Sequence, residues 1–442
     1  MAPRVDPVHA DTSLPAKAAV VVAGGGIIGA ATAFFLARKG LPVVLCEKGE
    51  IGAEQSSRNW GWCRKMGRDP REIPLVIESL RLWGEMNALT EAETGFRTCG
   101  ITYLCKTREE MARREAWLEH ARRYQLDSRL LSPADLKTLF PGLEGTWAGG
   151  LYTPSDGRAE PTKAAPAIAE AARRLGASVM TRCAVRGIET TAGHVSAAVT
   201  EKGRIACQSV VLAGGVWSRL FAGNLGLRLP QLRVVSAVMR TEPLEGGPEI
   251  SAAGEGFGFR KRLDGGYTVA NWSNNRFDIT PDAFRFFTDF LPALRLERKS
   301  LRIRFGRPFL EAWRTKRRWA LDEPSPFESV RTLDPAPDPV ILTEARETLG
   351  AAFPVFRSMR IAETWGGVID VTPDAVPVIS PVEKLPGFFI ATGFSGHGFG
   401  IGPGAGRLAA DLVSGDKPAV DPEPFRLSRF TDGSHPKPSP LL

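Results

Sequence analysis

The apolar positions of this 442-residue chain first cluster at 20–22, three consecutive valines, and the run breaks into Gly24-x-Gly26-x-x-Gly29. Residues 30–39 then read as a helix, and 41–45 form a second apolar run that stops at Glu47. Strand, glycine turn, helix, strand and terminal acid in this order make the pattern of a dinucleotide-binding βαβ unit. Each residue type answers a need. Gly24 permits the tight turn, Gly26 lets main chain approach a pyrophosphate, and Gly29 lets helix and strand pack closely. Ile27 and Ile28 lie where the helix opens, and its N-terminal N–H groups and partial positive charge suit phosphates. Glu47 is placed to accept hydrogen bonds from ribose hydroxyls. The turn by itself leaves FAD and NAD both open.

Farther on, 49–61 reads as a loop with Ser56, Ser57, Arg58, Asn59 and Gly61, residues that either contact the cofactor or shape turns. Residues 72–94 carry amphipathic helical spacing, 96–106 alternate as a strand, and 108–124 read as a charged surface helix. Ser132-Pro133 is an N-cap followed by proline at the first helical position. A strand is expected at 147–153, an Ala-rich helix at 160–176, and short strands at 179–188, 195–200 and 205–212. More strands fall between 230 and 275 and a helix at 281–291, while 300–340 shows no clear pattern. Helix 345–353, strand 360–364, loop 365–376 and buried strand 387–392 lead to a second glycine-rich stretch, 393–403, which opens a helix at 404–414. Residues 1–16 read as a loose lead-in and 416–442 as an extended Pro-rich tail.

Composition narrows the class. The chain is 43% hydrophobic and 24% charged, and no apolar run approaches a membrane span. No apolar leader region is visible at the N-terminus, so a cytoplasmic protein is expected. The formal charge is +8, but the basic residues read as scattered among acids, with Lys316-Arg317-Arg318 the densest run. A solvated surface is expected rather than a nucleic-acid site, with peripheral membrane contact left open. The six cysteines show no CxxC pair, which gives no metal site and points to reduced thiols.

Four separated segments together resemble the D-amino-acid oxidase superfamily of FAD-dependent amine oxidoreductases. They are the Gly24 turn, the Ser56-Ser57-x-Asn59-x-Gly61 loop, the 210–218 stretch, and the region from Trp365 to Pro403. The most specific part is Trp365-x-Gly367-x-x-x-x-Thr372-Pro373-Asp374-x-x-Pro377, followed by Gly393-Phe394-Ser395-Gly396-His397-Gly398. The resemblance implies an α/β fold, with a Rossmann-like FAD-binding domain and an inserted α+β substrate domain on a mostly antiparallel sheet. The FAD domain would comprise 17–90, 150–228 and 345–415, the substrate domain 91–149 and 229–344, and the tail 416–442. FAD contacts are then implied for Lys48, Val185, Ala213, Gly214 and Trp217 beside the residues above. They extend to Gly396, His397, Gly398, Phe399, Gly400 and Ile401, with the Ile401 N–H at the flavin O2 edge and the glycines, Gly402 included, letting main chain crowd the ring.

Departures from the family bear on the chemistry. Gly367 aligns with a covalent-flavin Cys of sarcosine-oxidase-like members, so FAD is expected to be non-covalent. Ile369-Asp370 and Gly400 occupy the positions of two familiar carboxylate clamps. Arg64 resembles in placement a clamp of sarcosine-oxidase-like enzymes, and Arg260 and Arg276 are further candidates, each equally readable as an ordinary arginine. Asp370 either binds a second, cationic group of the substrate or caps a turn. The expected activity is oxidation of the C–N bond of a D-amino acid or N-substituted amino acid by hydride transfer to flavin, with O2 or a quinone as acceptor. The alternatives are a partner-dependent subunit of an opine- or sarcosine-oxidase-like complex, and an RNA-modifying flavoprotein.

Overall fold

The computed structural model describes residues 3–434 and 436–439. Its organising layer is a six-stranded sheet ordered Val378–Pro381, Phe388–Thr392, Ser209–Leu212, Val20–Ala23, Val43–Cys46, Ser178–Met180. All neighbours are parallel except the first pair. The central strands Val20–Ala23 and Val43–Cys46 are buried throughout, as short β-branched runs covered on both faces must be. The helices Ile27–Arg38, Ile73–Thr90, Pro161–Arg174 and Gly398–Ser414 share one apolar core with this sheet.

A second sheet of ten strands is mostly antiparallel and carries the long strand Ile361–Val371. That strand replaces the expected strand 360–364 and loop 365–376. Gly366 and Gly367 read as loop punctuation, yet each is small because a neighbour crowds it: Pro335 O lies 2.4 Å and Gln55 Oε1 2.6 Å from where a Cβ would sit. Other boundaries shift in the same way. The segment 96–106 splits into Arg97–Thr98 and Ile101–Cys105, and 179–188 into two strands of different sheets. The helix 281–291 becomes Pro281–Arg285 and Phe287–Glu297.

The C-terminal helix begins earlier than expected, at Gly398, although Pro403 lies inside it. A proline there clashes with the preceding turn and opens the local hydrogen-bond ladder. The neighbouring helix repairs the break. The Gly404 N–H donates to Ser79 Oγ (3.1 Å), and the Gly400 carbonyl accepts from Ser79 Oγ and Trp83 Nε1 (2.9 Å each). Ser79→Ala is therefore expected to strand the Gly404 N–H and cost about 1–3 kcal/mol in denaturant unfolding.

The described residues of the lead-in and the tail are both tied to the fold. The Asp6 and Asp11 N–H groups donate to Thr162 O and Val179 O, stitching the lead-in to the helix Pro161–Arg174 and the strand Ser178–Met180. In the tail, buried Arg429 donates to both Asp374 oxygens (3.1 Å each) and to Val376 O (2.7 Å), and Phe425 enters the main core.

The charge is not scattered either. Residues 281–318 hold eleven Lys and Arg against four Asp and Glu, a net +7 of the chain's +8. The same module exposes Phe284, Phe287, Leu296, Ile303, Phe305, Leu310 and Trp313, with Phe305 70% and Trp313 68% accessible. Its second half, from 300 on, belongs to the stretch 300–340 whose structure the periodicity did not resolve.

Candidate active site

The glycine turn is built as its spacing requires. Gly24 has φ +112°, and a Cβ there would sit 2.4 Å from Ala213 O. A Cβ on Gly29 would lie 1.8 Å from Gly24 O, so helix and strand touch main chain to main chain. Around Gly26 the nearest atom is Ser56 Oγ at 3.0 Å, and the rest is open cleft. The first helix has no side-chain cap and no acid in its first turn, which leaves N–H donors directed at that cleft, although Ser56 Oγ accepts the Ile27 N–H at 2.8 Å.

The cleft runs from the turn past Cys46, Glu47 and Val185 at one end to Gln55, Asn59, Val368, Gly396 and Phe399 at the other. Glu47 accepts one N–H on each oxygen, from Gly25 and Gly49 (2.7 Å each), and keeps further lone pairs; burial raises its pKa. Ala213, Gly214 and Trp217 line the floor. Gln55, which the sequence reading did not single out, presents a buried carbonyl oxygen with no partner among the described residues. An open glycine cradle, an uncapped helix start, a strand-end carboxylate and an orphaned amide oxygen fit a dinucleotide such as FAD.

Several expected contacts serve packing instead. Lys48 gives its ammonium to Glu54 Oε1 (2.6 Å), Val330 O and Arg331 O, and lines the cleft with its stem only. Ser57 donates to Glu54 O and does not line the cleft. Gly61 is small because Ala159 O and Arg260 Nε close over it at 2.4 and 2.5 Å. Gly400 faces Trp62 O, Gly402 faces Ile27, and the Ile401 N–H is spent on His397 O. Gly396, Gly398 and Phe399 remain at the cleft.

The strand Ile361–Val371 partitions two spaces, because successive side chains point to opposite faces. Val368 and Asp370 face the cleft; Ile369 and Val371 face a separate cavity of about 480 Å³. That cavity is walled by Leu232, Val234, Phe277, Phe284, Phe287 and Phe290, with Ser395 and His397 at its inner end. Ser395 holds an unusual φ of +49°, fixed by the bond from its N–H to Asp370 O.

Asp370 does not offer a free carboxylate. Its Oδ2 accepts the Gly393 N–H (2.7 Å), Gln231 Nε2 (2.9 Å) and Thr392 Oγ1 (3.3 Å), so it fixes the turn, the second of the two roles the sequence leaves open. Arg260 is locked to Glu160. Arg276 is paired with Asp278 (3.0 Å) on the strand face opposite Asn275 and Phe277, which line the apolar cavity.

Arg64 is different. It is buried, donates to Met66 O and Gly67 O, and lies over the rings of Tyr103 and Trp272. Arg68, which the sequence reading missed, is buried beside it; its Nη1 has no partner, and burial plus Arg64 lower its pKa to about 9. Neither arginine has an ion pair among the described residues. His397 is kept neutral by burial and by these two cations. The four-residue spacing Arg64, Arg68, Glu72 before the helix at Ile73 was the available signal.

The family model described as DAO, FAD dependent oxidoreductase, matches residues 19–412. Among solved structures, L-amino acid deaminase from Proteus myxofaciens in complex with anthranilate is 34% identical, with a TM-score of 0.94 and 98% of each chain covered. L-amino acid deaminase from Proteus vulgaris is 33% identical, with a TM-score of 0.91, covering 97% of this chain and all of that one. Human mitochondrial sarcosine dehydrogenase is 26% identical over 425 residues, covering 94% of this chain. The chain spans only 42% of that relative's length.

Proposed function

The chain belongs to the DAO family of FAD-dependent oxidoreductases, and from that membership we propose that it oxidises the Cα–N bond of an L-α-amino acid with a bulky apolar side chain. The observation that carries this reading is the juxtaposition of a large aromatic-walled cavity with two buried, unpaired guanidiniums behind His397. The choice of L over the expected D- or N-substituted substrate rests on the two deaminases, one of them bound to an aromatic carboxylate.

In this reading Arg64 and Arg68 hold the substrate carboxylate, as paired guanidiniums in a low-dielectric pocket do well. Phe277, Phe287 and Phe290 receive the side chain. FAD, when bound, supplies the two-electron oxidation. The glycine turn, Glu47 and the N-terminal turn of the C-terminal helix would hold it. The amine must shed a proton before the α-hydrogen leaves with its electron pair. The two guanidiniums favour that loss, since they disfavour a further cation beside them, and His397 at the cavity end stays neutral. The imine then takes up water and releases a keto acid and ammonia.

The test is an anaerobic absorbance titration of the FAD-loaded protein. Phenylalanine, leucine and tryptophan in the L form should bleach the flavin band. Bleaching by sarcosine, glycine or D-amino acids alone would overturn the substrate assignment.

The module 281–318 adds a location. No described helix is long and apolar enough to cross a membrane. Exposed aromatics interleaved with arginines instead fit an anionic lipid surface, and the apolar cavity opens among the same residues, Phe284, Phe287 and Ile303. The protein should co-sediment with phosphatidylglycerol vesicles in a salt-sensitive way. Phe305→Glu with Trp313→Glu should weaken that binding about tenfold or more. Equal binding of both proteins would remove the membrane role.

A further inference from the structure

Glu72 lies at the start of the helix Ile73–Thr90, fully buried, and neither carboxylate oxygen has a hydrogen-bond partner among the described residues. Its charged and titratable surroundings come from several elements. On its own segment stand Arg64, Arg68, Asp69 and Arg71. The N-cap of the C-terminal helix brings His397, whose Nδ1 is 3.5 Å from Glu72 Oε2 and also unpartnered. The strand Ile101–Cys105 brings Tyr103, whose buried hydroxyl is unpartnered too; Arg114 lies over that ring, and the field of Asp156 acts on Arg64 and Arg68.

Asp69 and Arg71 are spent on each other and on Asp374. Two buried guanidiniums thus have Glu72 as their unspent carboxylate. Burial pushes the Glu72 carboxyl up to about 7, with Arg68 the main force holding it down.

We propose that Glu72 takes up a proton when a carboxylate ligand docks on Arg64 and Arg68, so that ligand binding and neutralisation of this side chain are one coupled event. The proposal rests on the clamp assigned above. In the empty site Glu72 is the counter-charge of the arginines. A docked carboxylate replaces it, and two like charges in one dry pocket cannot both stay ionised. The proton comes from solvent and ends on a Glu72 oxygen, and no bond of the ligand changes. The sign follows. The free carboxyl titrates near 7 and higher in the complex, so affinity should be flat below pH 7. Above it, affinity should fall by up to about tenfold per pH unit until the complex itself titrates.

Benzoate is the ligand for the test, because it stays ionised throughout that range and cannot be oxidised by loss of an amine. Its binding to the FAD-loaded protein is followed by flavin absorbance, and proton uptake by an indicator dye in weak buffer at pH 8. Wild type should take up roughly 0.5–1 proton per benzoate bound. Glu72→Gln should bind benzoate with only the small uptake that Arg68 contributes at pH 8, and with an affinity that is nearly flat from pH 6 to 8. Binding without uptake in wild type would overturn the coupling and leave the clamp standing. Wild-type uptake in Glu72→Gln would place the proton elsewhere and overturn it as well. Unchanged benzoate affinity in Arg68→Ala, or no benzoate binding at all, would remove clamp and coupling together.

Discussion

Gly26→Val is expected to yield a folded protein without FAD. The backbone at Gly26 is extended, with φ −71° and ψ −180°, a conformation that valine adopts freely. Only Ser56 Oγ lies within contact of the new Cβ, at 3.0 Å, and a hydroxyl can rotate aside. The branched side chain then projects into the cleft, where the main chain must approach a pyrophosphate. The 450 nm to 280 nm absorbance ratio should drop to near zero while the far-ultraviolet spectrum stays unchanged. Gly29→Ala is the contrast. Its methyl would meet Gly24 O at 1.8 Å, main chain against main chain, with no soft atom to yield. That variant should fail to accumulate as soluble protein. A yellow, folded Gly26→Val would remove the cofactor site from this turn.

The second large effect concerns the carboxylate. Arg64→Ala and Arg68→Ala should each raise KM for L-phenylalanine by about 10²- to 10³-fold, the range for truncating one partner of a buried charge contact. The bleaching rate with phenethylamine, which lacks the carboxylate, should change little. Arg64→Lys should not rescue, because an ammonium cannot reproduce the guanidinium fork or its stacking on Tyr103 and Trp272. Equal losses with acid and amine would mean that the arginines only shape the pocket.

The parts of this molecule that the sequence reveals are those where one residue type is forced by main-chain geometry. Gly24 and Gly29 are such cases, and so is Glu47 at a strand end. Gly400 and Gly402 show the limit of the same logic, since a glycine crowded by Trp62 or Ile27 looks, in sequence, like one crowded by a ligand. Arg68 and Glu72 stayed unread for another reason. Burial is what makes them chemically unusual, and burial is set by partners far along the chain, His397 and Tyr103 among them. Asp370 was conspicuous in sequence, yet Gln231, Thr392 and Gly393 claim it. The module 281–318 was legible only as a helix near 281–291; beyond it, short elements turn apolar side chains such as Phe305 and Trp313 outward, so the apolar positions do not mark a core.

The order of strands in the parallel sheet sets a timetable for biosynthesis. The strand at 20–23 leaves the ribosome well before its neighbour at 209–212, which follows almost two hundred residues later, and the next, at 388–392, comes later still. The helix Gly398–Ser414 then presses Gly406 against Ala31 of the first helix, and Arg429 clasps Asp374 after it. For most of translation the nucleotide half is therefore an unclosed apolar surface, a long-range topology that folds slowly and exposes strand edges meanwhile. Chains truncated ahead of residue 398 should emerge as chaperone-bound or aggregated species rather than as smaller folded domains.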